Sequence, residues 1–360
     1  MKKYRLAAIL LGMIIGITSM TGCGGSGDSG AEVTPTPEPV SETNSVWDKD
    51  PVAVLGDIEI SYRELMIYLQ STKQEYEQQY GSEVWGYALD ADGTTIWDFV
   101  REMTLEQLIY LKIVCAQAEP LNVSLTEDEV MDINDYTEEY MDYFTEDEIE
   151  YFGITEELIR GIYTENLLAE KIYETITLRA DTEVADEDAR QVKVYQIFVQ
   201  TDGFDAEGNQ LKLTDDELAE KKQKASDLLA GAKEAEDFKA YAQASTEDTA
   251  QLEETFGRGD RDDVIVNAAF ALQKGEMSGI IEAEDGYYIL YCVEETDEAA
   301  TAERKEEIIA ERQKALFEEY YDEWSAEYEI VMNDEVWKTV TRDPYENAEV
   351  EVESRTEEEE

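Results

Sequence analysis

The side chains that could do chemistry in this chain are carboxylates, amides and hydroxyls rather than imidazoles or paired thiols. The 360 residues include no histidine and only three cysteines, which argues against a zinc site. The run from Asp90 to Gly93 resembles the start of a calcium loop. However, Thr95 stands where that loop needs glycine, and Arg101 where it needs glutamate. We therefore interpret the run as a turn and expect neither a metal nor another cofactor.

The overall charge restricts the partners that this chain can have. It contains 87 acidic and 29 basic residues, for a formal net charge of −58 at pH 7. Such a surface repels phosphate backbones, so we expect no nucleic-acid partner. The hydrophobic fraction of 42% indicates a globular protein. A solvated acidic shell explains the charge most simply, and a basic client or a bound cation is the alternative explanation.

The N-terminus has the pattern of an export signal. A basic start is followed by an apolar run, Leu6 to Ile17, that is shorter than a membrane span. The residues up to Cys23 then resemble a bacterial lipobox. We interpret residues 1–22 as a lipoprotein signal peptide and Cys23 as the lipidation site, which predicts a lipid anchor at the extracytoplasmic face of the cell membrane. Ordinary cleavage and an uncleaved anchor are the alternatives.

The next two segments differ in composition. Residues 23–50 are rich in Gly, Ser, Thr, Pro and Glu and are predicted to form a flexible linker. Apolar residues at helical spacing dominate 51–190, where Ser61 and Thr126 are predicted helix N-caps. We assign 51–190 to a mainly helical N-terminal domain.

Strand patterns begin after residue 191. Val192–Val199 and 286–293 are strand-like, and helices are predicted over 216–230 and 238–244. This β-α-α-β order predicts a small α+β domain over 191–297. Beyond it, helical spacing predicts a C-terminal helix over 298–341 that packs on the N-terminal helices, and the acidic tail 342–360 is predicted to be disordered.

Four motifs in the 191–297 domain carry a resemblance to a known family. Val192–Val199 is similar to a first strand V-x-x-x-H-I-L-V, and Phe238–Asp248 to F-x-x-L-A-x-x-x-S-x-D. Phe256–Gly259 matches F-x-R-G, and Ala268–Ile289 matches a long motif, A-x-F-x-L-x-x-G-E-x-S, that ends in G-x-H-I. The domain resembles parvulin-type (PpiC) peptidyl-prolyl cis–trans isomerases, in the setting of bacterial foldases of the PrsA and SurA type.

The resemblance implies a fold and a function. The fold would be α+β, with a parvulin domain of a small antiparallel sheet and flanking helices inserted into a SurA-like helical chaperone module. The function would be that of a membrane-anchored foldase that isomerises X-Pro bonds, whose rotation barrier is about 18–20 kcal/mol. Its partners would be unfolded or partly folded exported polypeptides.

The resemblance also implies catalytic residues. Asp248 falls where the family has a central Asp or Cys, while Gln196 and Tyr288 stand where it has its two histidines. Glutamine and tyrosine can both donate and accept hydrogen bonds, but neither titrates near pH 7 as histidine does. The three would form a neutral polar network around Asp248, or Gln196 and Tyr288 could merely fill the core and Asp248 end a helix.

Four further residues are implied to bind substrate. Phe256, Ile265 and Phe270 fall at the apolar pocket for the proline ring, with ordinary core packing as the alternative. Arg261 takes a position that is commonly apolar in the family and would bring charge to the rim of the pocket.

The histidine-free site leaves three functions open. The first is an active isomerase and foldase. The second is a non-catalytic chaperone, or holdase, whose degenerate parvulin domain binds clients. The third is a surface interaction protein without a role in folding.

Overall fold

The computed structural model describes residues 46–204, 210–248 and 251–346. The predicted signal peptide, the lipidation site Cys23 and most of the predicted linker and acidic tail lie outside these ranges. The chain divides into two compact units, and the second unit (Ala180–Gln313) is inserted in sequence between the two parts of the first (Met1–Arg179 and Lys314–Glu360).

The first unit begins with a β-hairpin and continues as helices. Its elements up to residue 179 are β1 (Ala53–Leu55), β2 (Ile58–Ile60), α1 (Tyr62–Tyr80), a 3-10 helix (Ser82–Gly86), α2 (Ile96–Cys115), α3 (Ala118–Leu121), α4 (Glu127–Asp142), α5 (Glu146–Phe152) and α6 (Glu156–Thr177). None of the helices within the described ranges is long and apolar enough to cross a membrane.

Side-chain caps fix where these helices begin. Oγ of Ser61 accepts a hydrogen bond from the backbone N–H of Glu64 at 3.0 Å, which starts α1. Thr126 and Glu129 form a reciprocal capping box at the start of α4, with distances of 3.3 and 2.7 Å. Both predicted N-caps are confirmed.

The first unit includes a partly buried group of charges. Nζ of Lys112 in α2 lies 2.9 Å from the carboxylate of Glu64 and 2.7 Å from that of Glu165. Burial raises the pKa of Glu64 to about 7, although the positive charge of Lys112 acts in the opposite direction. The three side chains also line a cavity of about 480 Å³ beside Trp47 and Tyr62.

The second unit combines a sheet with helices. Its elements are α7 (Asp186–Ala189), β3 (Val192–Gln200), β4 (Asp202–Phe204), β5 (Gln210–Lys212), α8 (Asp215–Glu234), α9 (Phe238–Ser245), β6 (Glu253–Phe256), α10 (Asp263–Phe270), β7 (Ile281–Glu282) and β8 (Gly286–Glu294). Four of the strands form an antiparallel sheet in the order β6-β3-β8-β7, while β4 and β5 form a separate hairpin. The predicted α+β class is confirmed.

The two central strands bury both of their faces. Ile197 of β3 is paired with Ile289 of β8, and both pack against α8 and α9. Because successive side chains of a strand point to opposite faces, the neighbouring positions lie on the other face, where α10 packs. This second face holds the candidate site.

The last elements are α11 (Glu298–Ser325), β9 (Ile330–Met332) and α12 (Asp334–Trp337). The predicted helix over 298–341 is therefore wrong in extent, because α11 ends at Ser325. The β-branched pair Ile330 and Val331 belongs to a strand that pairs antiparallel with β1. Asn333 then caps α12 by accepting a hydrogen bond from the N–H of Val336 at 3.3 Å.

Candidate active site

Most of the implied site residues share one face of the sheet. Gln196 is paired with Leu290, two residues along β8 from Tyr288, so both side chains point toward α10. Tyr288, Phe256 and Ile265 belong to the hydrophobic cluster on this face. The fold thus brings together residues that are up to 92 positions apart in sequence, from Gln196 to Tyr288.

Gln196 is a fully buried polar side chain, with 0% exposure. Its Oε1 accepts a hydrogen bond from Nη1 of Arg261 at 3.1 Å. Its Nε2 finds no hydrogen-bond partner among the described residues. A buried donor without a partner costs about 1–3 kcal/mol, so such an atom is uncommon in folded proteins.

Arg261 is the centre of the polar contacts on this face. Nη1 also forms an ion pair with Glu254, and the side chains of Arg261 and Glu254 are only 16% and 20% exposed. The guanidinium carbon lies 5.1 Å from the ring centre of Tyr288 and 5.8 Å from that of Phe256. The resemblance implies a position at the pocket rim for Arg261, but its guanidinium reaches inward to Gln196.

Tyr288 contributes a neutral hydroxyl to the same region. The residue is 2% exposed, and its hydroxyl donates to Oδ2 of Asp285 at 2.7 Å. Burial raises the pKa of Tyr288, and the carboxylate of Asp285 raises it further, while Arg261 acts in the opposite direction. Oδ1 of Asp285 is buried and has no hydrogen-bond partner among the described residues.

Asp248 lies beside this network at the edge of the sheet. It follows α9, and the preceding residues are bound to β3: Thr246 Oγ1 accepts from the N–H of Phe198 at 3.0 Å, and the N–H of Glu247 donates to the carbonyl of Phe198 at 2.9 Å. Burial raises the pKa of Glu254, and the negative charge of Asp248 contributes to that increase, so the two carboxylates are close enough to interact.

The implied pocket residues differ in burial. Phe256 and Ile265 are 3% and 2% exposed and belong to the core. Phe270, at the end of α10, is half-buried. The guanidinium carbons of Arg190 and Arg258 each lie 4.6 Å from its ring centre. Phe270 is therefore the most exposed of the three apolar pocket residues that the resemblance implies.

The comparisons with known proteins address this unit directly. Residues 205–294 match the family model described as Rotamase, PPIC-type PPIase domain. The second unit contains a PPIC-type PPIase domain. The resemblance to parvulin-type isomerases is therefore confirmed, and at the level of the family the domain is of an enzyme type, peptidyl-prolyl isomerase.

Curated relatives extend over more of the chain than the PPIC-type domain. The chain is 27% identical over 249 residues to "Foldase protein PrsA" of Caldanaerobacter subterraneus subsp. tengcongensis, covering 67% of this chain and 72% of the relative. It is 23% identical over 279 residues to "Foldase protein PrsA" of Clostridium botulinum, covering 71% of this chain and 79% of the relative.

Solved structures to which the chain is similar include that of the foldase protein PrsA from Lactococcus lactis. The match is 15% identical with a TM-score of 0.36 and covers 81% of this chain and 97% of that one. The PrsA peptidylprolyl isomerase from Bacillus cereus matches with 17% identity and a TM-score of 0.32, covering 75% and 95%.

Two residues of the PPIC-type site were not predicted from the sequence. Glu254 had a usable signal, because an arginine at a commonly apolar position, Arg261, needs a counter-charge within reach. Asp285 had none, since Glu284-Asp285-Gly286 simply reads as a turn. Across the described ranges, no group of three or more Cys, Asp or Glu residues has the geometry to hold a metal ion.

Proposed function

We propose that the protein is a membrane-anchored extracytoplasmic foldase whose PPIC-type domain isomerises X-Pro bonds in exported proteins. Two curated relatives are named foldase proteins, and both alignments cover about two thirds of the chain or more. The observation that carries the proposal is the convergence of Gln196, Arg261 and Tyr288 on the apolar face with Phe256.

Isomerisation needs a pocket that holds the proline ring and polar groups that stabilise the twisted amide, but no nucleophile. The X-Pro bond must pass through a twisted amide, and only contacts that strengthen in that state increase the rate. Phe270, with Phe256 and Ile265 behind it, would hold the proline ring. The N–H groups of Arg261, which the buried Gln196 holds in place, would donate to the amide nitrogen, which regains its lone pair as the bond twists.

Asp248 would affect the polar groups of the site through its negative charge. Its carboxylate adds to the negative potential at Glu254, which holds the guanidinium of Arg261 by an ion pair. Removing the Asp248 charge would change how Arg261 is positioned and polarised. We therefore assign Asp248 a role in the activity, together with Gln196 and Tyr288.

The isomerase activity is tested with a short peptide that contains one proline. The cis–trans exchange rate is measured by NMR for the wild-type protein, for Asp248→Ala and for the exposed control Asp216→Ala. We expect acceleration by the wild type and the control, and a loss of about 100-fold in Asp248→Ala. A wild-type rate equal to the uncatalysed rate would overturn the proposed activity.

A non-catalytic holdase is the second candidate, and one observation favours it. Arg261 lies over the rings of Phe256 and Tyr288, and so occupies space beside the residues that would hold proline. A holdase would suppress aggregation of a chemically unfolded client without accelerating proline exchange. Measuring both properties on the same preparation separates the two candidates.

The anchor is proposed from the N-terminal sequence. Diacylation of the Cys23 thiol would tether the protein to the outer face of the cell membrane. We expect labelled palmitate to be incorporated into the wild-type protein and not into Cys23→Ser, which should be released from the membrane fraction. Equal incorporation into both proteins would rule out Cys23 as the lipidation site.

A further inference from the structure

Helix α4 of the first unit leaves most of its surface to solvent. Its buried residues are Ile133 and Thr137, which lie on the face toward α6. On the rest of the helix, Val130, Met131 and Tyr136 are 45%, 62% and 53% exposed. Large apolar side chains with this exposure, grouped on one helix, are typical of a binding surface.

A continuous row of aromatic rings runs from α4 to α5. Neighbouring ring centres are 5.1–6.4 Å apart along the row, which consists of Tyr136, Tyr163, Tyr140, Phe144, Phe152 and Tyr151. We call this row the aromatic strip. Tyr143, which is 60% exposed, lies between two of its members in sequence. Tyr136 is 53% exposed, and the other rings of the row are half-buried, so each leaves part of its ring to solvent.

The charge around the aromatic strip is mostly negative, although Arg160 of α6 lies nearby and its Nε donates a hydrogen bond to Oδ1 of Asn134 at 2.9 Å. Residues 127–152 contain twelve acidic and no basic residues. Glu129 pairs with Lys171 of α6, and Glu148 caps α5 by accepting from the N–H of Thr145 at 2.9 Å. Most of the remaining carboxylates are exposed, so the surface repels anionic partners and attracts cationic ones.

Elsewhere in the first unit, the chain places its own cations over aromatic rings. Lys49 lies 4.2 Å from the ring centre of Tyr62, and Arg179 lies 5.7 Å from that of Tyr320. No such cation covers a ring of the aromatic strip in the part of the chain that the structure describes. Arg160 and Lys171 of α6 bond Asn134 and Glu129 instead, so among the described residues the strip rings have no cation over them.

We propose that the aromatic strip binds unfolded polypeptide segments in which lysine or arginine alternates with apolar residues. Ammonium and guanidinium groups would lie over the rings and between the carboxylates, and the apolar residues would cover Val130 and Met131. This inference rests on the proposed foldase function and names the class of client that it selects.

The test uses the full-length protein and two short fluorescent peptides without proline. Both carry the same apolar residues, and the remaining positions are lysine in one peptide and glutamate in the other. By fluorescence anisotropy, we expect the lysine peptide to bind at least about tenfold more tightly, with an affinity that falls as salt is added. Equal affinity for both peptides would overturn the proposal.

Matched variants locate the site. Tyr136→Ala with Tyr143→Ala should weaken binding of the lysine peptide about fivefold, while the equally exposed pair Tyr80→Ala with Tyr87→Ala should not. A charge pair, Asp135→Asn with Glu139→Gln, should also weaken it, whereas Glu303→Gln with Glu306→Gln on α11 should not. Equal losses in the test and control pairs would contradict the proposal.

Failure of the proposed binding site can be distinguished from failure of the proposed foldase function. If the protein suppresses aggregation of acidic and basic clients alike and the Tyr136 variants keep that activity, the aromatic strip is not the selective site and the foldase function stands. If the lysine peptide binds at the strip but neither isomerisation nor suppression of aggregation is observed, the foldase function fails and the binding site stands.

Discussion

Nη1 of Arg261 donates a hydrogen bond to Oε1 of Gln196 at 3.1 Å on the core face of the PPIC-type sheet. Gln196 stands where the family resemblance implies a histidine, and Arg261 where it implies an apolar residue. Together with Glu254, they form a polar group in which Nη1 of Arg261 contacts both of the other side chains. The site is therefore a different charge arrangement on the same framework, built around a permanent cation instead of imidazole.

The Arg261–Glu254 ion pair can be tested as a unit. Arg261→Met leaves the partly buried Glu254 carboxylate without its cation, so we expect the free energy of unfolding to fall by about 1–3 kcal/mol. The double variant with Glu254→Met removes both charges and should be more stable than the sum of the two single changes predicts. Denaturant unfolding of the four proteins measures this coupling, and strictly additive losses would show that the pair does not interact.

The pH dependence of isomerisation follows from the same groups. Burial and the Asp285 carboxylate hold the pKa of Tyr288 above its ordinary value, and glutamine does not titrate. Activity should therefore be flat from about pH 7 to 9, where these groups keep one protonation state. Burial raises the pKa of Glu254, so any loss is expected on the acid side, as that carboxylate takes up a proton and releases Arg261.

A histidine variant provides the control for this profile. Tyr288→His places an imidazole with an ordinary pKa of about 6.5 at the position of the family histidine. The variant should gain a titration near neutral pH that the wild type lacks. The exchange rates are measured by NMR across this pH range. A transition at about pH 6.5 in the wild type would contradict the prediction that its site has no group that titrates near neutral pH.

Sequence patterns were sufficient for the framework of the PPIC-type domain. Strand-like apolar patterns predicted β3 and β8, because both depend on local periodicity, whereas α10 was not predicted. The faces of the strands followed from that alternation. That Gln196 and Tyr288 lie on one side of the sheet was implied by the family resemblance, since alternation alone does not give the register of β3 against β8.

The contacts within the site could not be predicted in the same way. Whether Arg261, in the loop after β6, points outward or toward Gln196 depends on Glu254, which lies seven residues earlier on β6. The end of α11 at Ser325 was missed for a similar reason. The residues after Ser325 still fit a helical pattern of apolar positions. They form a strand only because they pair with β1, which lies more than 270 positions earlier in the sequence.

The buried carboxyl Glu64 predicts how stability depends on pH. Its pKa rises from an ordinary 4.5 to about 7 in the folded protein, so the folded state binds more protons than the unfolded state between these values. The free energy of unfolding should therefore fall as pH rises through this window, by no more than about 1.4 kcal/mol per pH unit.

Substitution of Glu64 tests this linkage. Glu64→Gln removes the titrating group beside Lys112 and Glu165, so the unfolding free energy should become less dependent on pH between 4.5 and 7. The exposed control Glu75→Gln should keep the wild-type slope. Urea unfolding at several pH values measures both slopes, and an unchanged slope in Glu64→Gln would assign the pH dependence to other groups.

The backbone conformation and surroundings of Gly153 predict how much stability the first unit loses when this residue is substituted. It ends α5 in the left-handed conformation, with φ of 64°, and a Cβ atom built there would lie 2.3 Å from the ring of the buried Trp47. Gly56 has nearly the same φ of 62° but nothing within 4 Å of a Cβ atom. Gly56→Ala should therefore lose only about 1–2 kcal/mol from the left-handed backbone. Gly153→Ala should lose a further 1–3 kcal/mol, roughly, because Trp47 must shift within the core. Chemical denaturation of both variants measures the difference, and equal losses would show that the Trp47 ring yields without cost.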